Sequence, residues 1–187
     1  MIGFAFCGSF CTIRNALIEL EHLCRQQKEV QGIVSEAVFD TDTRFAPAKK
    51  VLDEIKRLTG RDVIHNIVGA EPLGPKSPLE ALIICPCTGN TLSKMANGIT
   101  DSAVSMAAKA HLRSDRPLVI ALASNDALSA NLKNIGELLN RKNVYFVPMK
   151  QDDPNGKPHS LVADFSQLSS TLEAALRGKQ LQPIFQM

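Results

Sequence analysis

Short apolar runs alternate with amphipathic stretches along most of the chain. The apolar runs cover residues 2–7, 30–35, 81–85, 117–123 and 144–148. Their length and β-branched residues predict strands, and their lack of alternating polar positions is typical of parallel strands that are covered on both faces. The pattern also predicts a further short strand near Val63 and Ile64.

The amphipathic stretches between these runs predict helices. Ile13, Leu17 and Leu20 recur at three- and four-residue spacing after the first run, which places them on one side of a helix. The other predicted helices cover residues 46–58, with Gly60 at the C-terminal end, residues from Asp101 or Ser102 onward, and residues 164–177. This alternation predicts one α/β domain over residues 1–187, a Rossmann-like three-layer sandwich whose mostly parallel sheet carries helices on both faces.

The helix after Ser102 is rich in alanine and has almost no polar side chain before Lys109. A helix that is apolar on all sides is buried, and small side chains let another helix approach closely. The sequence leaves two partners open for this helix: other parts of the same chain, or a helix of a second copy of the chain.

Composition narrows the function classes. The 187 residues carry 21 basic and 19 acidic side chains, for a net charge of +2, whereas general nucleic-acid binders use a strongly basic face. No uncharged run approaches the roughly 20 residues of a membrane-spanning helix, and the N-terminus lacks the basic segment of a secretory signal. We expect a cytoplasmic protein that binds neither nucleic acid nor membranes.

The five cysteines are odd in number and lie mostly in apolar surroundings, which favours reduced thiols over disulfides. Cys85 and Cys87 form a Cys-x-Cys pair, but no second pair or nearby histidine completes a zinc site. We expect no metal centre.

The turn after the first predicted strand has the features of an anion site. In open α/β sheets, ligands bind beyond the carboxyl ends of the strands. Gly8 lets a ligand approach the backbone, Ser9 and Thr12 offer hydroxyls, and the following helix start presents free N–H groups. The turn has one glycine and no lysine, so it is neither a dinucleotide fingerprint nor a P-loop.

Two later turns also carry polar residues. Thr88-Gly-Asn-Thr91 contains more polar groups than one helix cap needs, which suggests a ligand. In Ser124-Asn-Asp126, the Asn125 amide offers both a donor and an acceptor to a heterocycle. The alternative for this third turn is that Ser124 or Asp126 caps a helix starting at residue 127. Three such turns at three strand ends favour a shared ligand.

The segment from Pro86 to Asp101, Pro-Cys-Thr-Gly-Asn-Thr-Leu-Ser-Lys-Met-Ala-Asn-Gly-Ile-Thr-Asp, resembles the signature of the flavoproteins related to phosphopantothenoylcysteine decarboxylase. The resemblance extends from Gly8 to Asn125 and implies FMN binding between the subunits of a homotrimer. The cofactor-binding residues that it implies are Gly8, Ser9 and Ser35 at the phosphate end, and Thr88, Gly89, Asn90, Thr91, Ser124 and Asn125 around the ribityl chain and the ring. Since the chain has no Trp and one Tyr, Phe10 is the ring expected nearest to a flavin.

Two departures from that family put its decarboxylase chemistry in doubt. Residues 70–75, at the position of the family's catalytic histidine, contain no histidine. Residues 151–160, at the position of its substrate clamp, lack the clamp's cysteine.

A closer resemblance is to the family of dipicolinate synthase B subunits. It rests on Thr43-Arg-Phe45, Ala70-Glu-Pro-Leu-Gly-Pro-Lys76, Thr88-Gly-Asn90, Asn125-Asp-Ala-Leu128, Gln151-Asp-Asp-Pro154 and Gln182-Pro-Ile184. It implies an oxidoreductase subunit that acts with an A subunit, a nucleotide-binding protein that could bring NADP. Together they would oxidise dihydrodipicolinate to dipicolinic acid in the mother cell of a sporulating bacterium.

A small cyclic dicarboxylate substrate needs cations or N–H donors for its two carboxylates. The candidate groups are Arg44, Lys76, Lys150 and Lys157, with His159 for proton transfer. Arg44 lies near Asp40 and Asp42, so a substrate contact and a structural salt bridge are equally open for it. We expect Arg44 and His159 as the catalytic residues.

Three interpretations of the function remain at this point. The first is an FMN-binding oxidoreductase subunit that transfers two hydrogens from the substrate. The second is a flavin-free subunit that stabilises the A subunit, and the third is an FMN-dependent decarboxylase with relocated catalytic groups.

Overall fold

The computed structural model describes residues 1–76 and 79–186. Ser77, Pro78 and Met187, which belong to the predicted domain, lie outside this part of the chain. The described strands are β1 (Ile2–Phe6), β2 (Val30–Val34), β3 (Ala81–Cys87), β4 (Leu118–Ser124), β5 (Val144–Phe146), β6 (Met149–Lys150) and β7 (Leu161–Ala163).

Eight α-helices are described among these residues. They are α1 (Ile13–Arg25), α2 (Glu36–Asp40), α3 (Ala48–Thr59), α4 (Ile67–Ala70), α5 (Gly89–Ala96), α6 (Ala103–Leu112), α7 (Leu132–Leu139) and α8 (Leu168–Leu176). Short 3-10 turns, Phe10–Thr12 and Phe165–Gln167, precede α1 and α8.

The strands form one seven-stranded sheet in the order β2-β1-β3-β4-β7-β6, with β5 also paired to β4. The pairs among β1 to β5 are parallel, whereas β7 runs antiparallel to both β4 and β6. The predicted, mostly parallel sheet is therefore confirmed. The order also makes the carboxyl ends of β1, β3 and β4 neighbours at one edge of the sheet.

Helices cover both faces of the sheet, as expected for a three-layer sandwich. Phe4 and Phe6 of β1 point to one face and pack in the cluster formed with α1, α3 and α8. Ala5 points to the other face and packs in the cluster formed with α5, α6 and α7. Both faces of the central strands are thus buried, which explains why these strands appear in the sequence as continuous apolar runs.

Local chemistry sets the helix boundaries. Ser102 begins α6, because its side chain accepts a hydrogen bond from the Ser105 N–H at 3.1 Å and the Ser105 hydroxyl accepts one from the Ser102 N–H at 3.2 Å. Helix α3 ends at Gly60, whose φ of +67° is left-handed and favours glycine. Helix α6 packs on α4 and α5 within the chain, so internal packing accounts for its alanines.

Two predicted details differ from the structure. The strand expected near Val63 and Ile64 is a single bridge, in which Ile64 pairs with Ile33 beside β2. The helix that would start at residue 127 begins instead at Leu132, because residues 125–131 form successive turns. Within the described residues, we find no helix with the length and apolar character needed to cross a membrane.

Candidate functional site

The three polar turns predicted from the sequence line one open cavity of about 600 Å³. The cavity lies at the carboxyl ends of β1, β3 and β4, where the strand order brings these turns together. Its lining residues are Gly8, Ser9, Phe10, Cys11, Thr12, Arg44, Phe45, Thr88, Gly89, Asn90, Ala123, Ser124, Asn125, Asp126, Asp152, Lys157 and Val162. This volume lies within the range of small-molecule and cofactor sites.

The first turn presents hydroxyls at the start of α1. Thr12 Oγ1 lies 2.9 Å from the Ser9 carbonyl oxygen and 3.0 Å from Ser9 Oγ, so these two side chains hold each other at the cavity wall. A Cβ on Gly8 would lie 3.3 Å from the Ala37 Cβ and 3.5 Å from the Phe10 ring. Glycine therefore keeps the backbone of this turn tightly packed against α2.

Ser35 has a buried hydroxyl with no hydrogen-bond partner among the described residues. Its N–H donates to the Phe6 carbonyl at 3.0 Å, which keeps Ser35 beside the end of β1 and the Gly8 turn. Ser35 is the N-cap residue of α2, but its side chain makes no cap hydrogen bond. Buried hydroxyls are normally paired, so an oxygen-rich ligand group at this position, such as a phosphate, would fit the unpaired hydroxyl.

The second turn begins α5. Thr88 Oγ1 accepts a hydrogen bond from the Thr91 N–H at 3.3 Å and donates to Thr91 Oγ1 at 3.2 Å. Thr91 is buried behind the turn. Burial raises the pKa of the Cys7 thiol to about 11, so this cysteine is protonated at neutral pH. Thr91 thus supports the turn from behind, whereas Thr88, Gly89 and Asn90 line the cavity.

The third turn is fixed by a polar network that the sequence did not predict. Ser124 Oγ donates to Asp126 Oδ1, and Asn131 Nδ2 donates to Asp126 Oδ2 at 2.8 Å. Asn134 Nδ2 in turn donates to Asn131 Oδ1 at 2.9 Å. Asn131 and Asn134 are buried at and near the start of α7, on the side that also buries Ile135 and Leu138, and polar residues on that apolar side were the available sequence signal.

Gly89 lies against this network. A Cβ at Gly89 would lie 2.5 Å from Ser124 Oγ, 2.6 Å from Asn131 Nδ2 and 2.7 Å from Asp126 Oδ1. Real Cβ atoms do not approach other atoms so closely. The second and third turns are therefore in direct contact, and only glycine at position 89 lets them approach.

Arg44 lines the cavity from the turn between α2 and α3. Its guanidinium carbon lies 4.9 Å from the centroid of the Phe45 ring. Asp42 Oδ1 accepts the Ala48 N–H at 2.8 Å, and no described ion pair joins Arg44 to Asp40 or Asp42. The described contacts therefore leave the Arg44 guanidinium edge open to a ligand.

Lys157 lines the cavity from the loop between β6 and β7. Its ammonium lies 2.9 Å from Asp152 Oδ2, and the Ser160 hydroxyl donates to Asp152 Oδ1 at 2.7 Å. These hydrogen bonds, from Ser160 and then from Lys157, hold the pKa of Asp152 below its ordinary value. The Asp152 carboxylate raises the pKa of Lys157, so the lysine stays charged at neutral pH.

Several candidate residues lie away from the cavity wall. His159 is exposed on the β6–β7 loop, where its carbonyl accepts the Leu128 N–H at 2.9 Å. Lys150 is exposed in β6, and Lys76 lies 3.9 Å from Glu71 on an exposed turn. The lysine candidate that the structure places at the cavity is Lys157, which the sequence did not distinguish from the others.

The cysteines do not form a metal site in the described part of the chain, where no group of three or more His, Cys, Asp or Glu side chains could hold a metal ion. Cys7, Cys85 and Cys87 are buried, and burial raises the pKa of all three thiols. Cys11 is exposed and lines the cavity.

The chain is similar to several known proteins. A family model described as Flavoprotein matches residues 1–172. The dipicolinate synthase B subunit of Bacillus subtilis (strain 168) is 46% identical over 183 residues, which is 98% of this chain and 92% of the relative. The crystal structure of the dipicolinate synthase B subunit from Bacillus halodurans C has a TM-score of 0.91 and 44% identity, and the match covers 100% of this chain and 95% of that chain.

A further relative matches over a smaller part of the chain. Flavin prenyltransferase UbiX of Pseudomonas aeruginosa is 30% identical over 133 residues, which is 65% of this chain and 64% of the relative.

Proposed function

Because the chain belongs to the flavoprotein family, we propose that it is the B subunit of a dipicolinate synthase and that its cavity binds FMN. The similarity to dipicolinate synthase B subunits runs along nearly the whole chain, in sequence and in structure, which confirms the resemblance predicted from the motifs. Since similarity extends across the cavity-lining turns, the proposal concerns the site as well as the fold.

The observation that carries the FMN proposal is the meeting of three polar turns at one cavity. Ser35 is not among the lining residues, but its buried hydroxyl, unpaired within the described part of the chain, belongs to the residue that follows β2 and pairs with the end of β1. Gly8, Ser9 and Ser35 would hold the phosphate, with Phe10 near the ring. The ribityl chain and ring would contact Thr88, Gly89, Asn90, Ser124 and Asn125, with Thr91 supporting them. Hydroxyls, amides and backbone N–H groups are the donors and acceptors that such a cofactor requires.

The proposed reaction converts a dihydropyridine dicarboxylate to the aromatic pyridine, which removes one hydride and one proton. FMN, when bound, would supply an acceptor for the hydride, and NADP held by the A subunit is the other candidate acceptor. Arg44 would bind a substrate carboxylate. His159 would accept the proton when the β6–β7 loop brings its ring to the cavity.

The proposal includes an assembly and a location. The chain would act with an A subunit in the mother-cell cytoplasm of a sporulating bacterium, and its own copies would form a trimer-based homo-oligomer. The name of the similar B subunits supports the partner, and the flavoprotein family supports the cofactor.

Titration of the purified protein with FMN tests the cofactor proposal. We expect the flavin absorbance to shift on binding, and Asn90→Ala combined with Asn125→Ala to weaken binding about 10- to 100-fold, since each amide can make two hydrogen bonds. Asn140→Ala, at the exposed end of α7, is the matched control and should bind FMN as the wild-type protein does. A wild-type protein that fails to bind FMN would contradict the proposal.

One observation favours the flavin-free alternative. The carboxylates of Asp126 and Asp152 also line the cavity, and they would repel an anionic cofactor phosphate placed near them. A protein that only stabilises the A subunit would keep dipicolinate production in cells when Asn90 and Asn125 are both alanine. Loss of production in that double variant, with the protein still folded, would exclude the alternative.

A further inference from the structure

We propose that Arg44 and Lys157 together hold the two carboxylates of a cyclic dicarboxylate in the cavity. The inference rests on the proposed function for the identity of the ligand. It rests on the structure for the residues, because both cations line one cavity from two separate segments of the chain. A ligand with two anionic ends would contact both segments at once.

Arg44 is held in place by its own turn. Thr43 Oγ1 accepts the N–H groups of Phe45 at 3.2 Å and Ala46 at 3.3 Å, and this shapes the turn that carries Arg44 to the cavity. The guanidinium carbon lies 4.9 Å from the centroid of the Phe45 ring. No described hydrogen bond or ion pair uses the guanidinium N–H donors, which leaves them available for a carboxylate in a bidentate arrangement.

Asp152 orients Lys157 but uses only one of its hydrogen-bond donors. Its ammonium has three N–H donors, and the described contact with Asp152 uses one of them. Asp152 is itself anchored by Ser160, which is buried at the end of the loop. The pair therefore restrains Lys157 at the cavity wall and leaves two donors for a ligand.

The two carboxylates in the cavity lining do not occupy the Arg44 guanidinium. Of the two carboxylates in the lining, Asp126 already accepts hydrogen bonds from Ser124 and Asn131, and Asp152 is paired with Lys157. Arg44 has no ion-pair partner among the described residues. The competing explanation is that Arg44 and Lys157 are solvated surface cations that contact no ligand. In that case, the effect of their substitution on affinity would not depend on whether the ligand has a second carboxylate.

Equilibrium dialysis of the protein with dipicolinate, with and without added FMN, tests the inference. Picolinate, which has one carboxylate, is the comparison ligand. We expect Arg44→Gln and Lys157→Gln each to weaken dipicolinate binding about 10-fold, the loss typical of one charge-assisted hydrogen-bonded contact. For picolinate, at least one of the two substitutions should change affinity by less than about 3-fold, since one carboxylate cannot use both cations.

Two matched control variants each remove one positive charge at a position away from the cavity. Arg113→Gln and Lys150→Gln change exposed cations that do not line it, and both should leave dipicolinate affinity within about 2-fold of wild type. Equal losses for both ligands in both cavity variants, or equal losses in the controls, would overturn the inference.

The same titrations separate this inference from the cofactor proposal. A protein that binds FMN but not dipicolinate, or binds dipicolinate equally well in all variants, would overturn the dicarboxylate site and leave the FMN proposal standing. A protein that binds dipicolinate with the expected losses in Arg44→Gln and Lys157→Gln but ignores FMN would support the site and contradict the cofactor proposal.

Discussion

The Ser124 hydroxyl has one proton, and it donates this proton in a hydrogen bond to the Asp126 carboxylate. A carboxylate accepts hydrogen bonds but cannot donate them, so the direction of this bond is fixed. Ser124 Oγ can then act toward the cavity only as an acceptor, and the ligand group opposite it must be a donor. In FMN both the ribityl hydroxyls and the ring imide provide such donors. Asp126 is thus a positioning residue that acts through Ser124.

A double-mutant cycle tests this role of Asp126. Ser124→Ala and Asp126→Ala should each weaken FMN binding by about 2- to 10-fold, because each removes the oriented acceptor. In the Ser124→Ala background, Asp126→Ala should add little further loss. Additive losses in the fluorescence titration would mean that Asp126 acts independently of Ser124. Asn140→Ala serves as the folded control.

Glycine at position 89 should be required for the contact between the second and third turns. We expect Gly89→Ala to lower the free energy of unfolding by about 1–3 kcal/mol, because the added methyl group overlaps the Ser124, Asp126 and Asn131 side chains. Gly136→Ala in α7, where a Cβ meets no atom within 4 Å, should instead raise it by about 0.5–1 kcal/mol. Denaturant unfolding of both variants measures the difference, and a Gly89→Ala protein as stable as Gly136→Ala would contradict the packing described here.

At the scale of elements, the sequence predicted the long strands and β5 but missed β6 and β7. All seven residues of β3 and the first six of β4 are buried, so their apolar runs are easily recognised in the sequence. β6 and β7 contain two and three residues, too few for any periodicity to emerge. These two strands exist because they pair with each other and with the end of β4, a long-range contact that no local pattern encodes.

Long-range contacts also limited how much of the site could be predicted from the sequence. The turn residues could be predicted because they follow strong strands, and Lys157 could not be distinguished from Lys76 or Lys150 because its position depends on the β6–β7 pairing. The Asp126 network depends on α7 starting at Leu132, a boundary set by tertiary contacts rather than by the capping pattern at residues 124–126. His159 and Lys157 lie two residues apart on one loop, yet only Lys157 lines the cavity.

The junction of β1 and α1 leaves one thiol accessible at the cavity. We expect iodoacetamide to modify Cys11 before Cys7, Cys85 and Cys87, whose burial raises their pKa values and blocks access. Peptide mass spectrometry over a time course measures the order. Saturating FMN or dipicolinate should slow the modification of Cys11 several-fold, and a modification rate that neither ligand changes would contradict binding at this cavity.

At the scale of the whole molecule, one buried histidine should make stability depend on pH. His111 Nε2 lies 2.9 Å from the Pro117 carbonyl oxygen and links α6 to the start of β4. Burial, aided by the nearby Arg116 charge, lowers the pKa of His111. A lowered pKa in the folded state means that the unfolded chain takes up the proton first, so stability is lost as the pH falls below about 6.5.

Comparison of His111→Gln with the wild-type protein measures this contribution. The free energy of unfolding of the wild-type protein should fall more steeply between about pH 7.5 and pH 5 than that of the variant, by at most about 1.4 kcal/mol per pH unit. His159→Gln changes an exposed histidine and should retain the wild-type slope. Parallel stability curves for His111→Gln and wild type would show that His111 is not responsible.

The segments that lie along the edge strands of the sheet also affect how copies of the chain can associate. Ile64 bridges to Ile33 along the outside of β2, and Phe185 bridges to Met149 along the outside of β6, so non-strand segments occupy backbone groups at both outer strands. Occupied N–H and C=O groups cannot pair with a strand from another molecule. At β5, which pairs only with β4, the Gln180 side chain occupies the N–H and carbonyl of Phe146. The chain is therefore protected at these three strands against edge-to-edge polymerisation, and its copies should associate through side-chain surfaces on helices and loops rather than through a continuous intermolecular sheet.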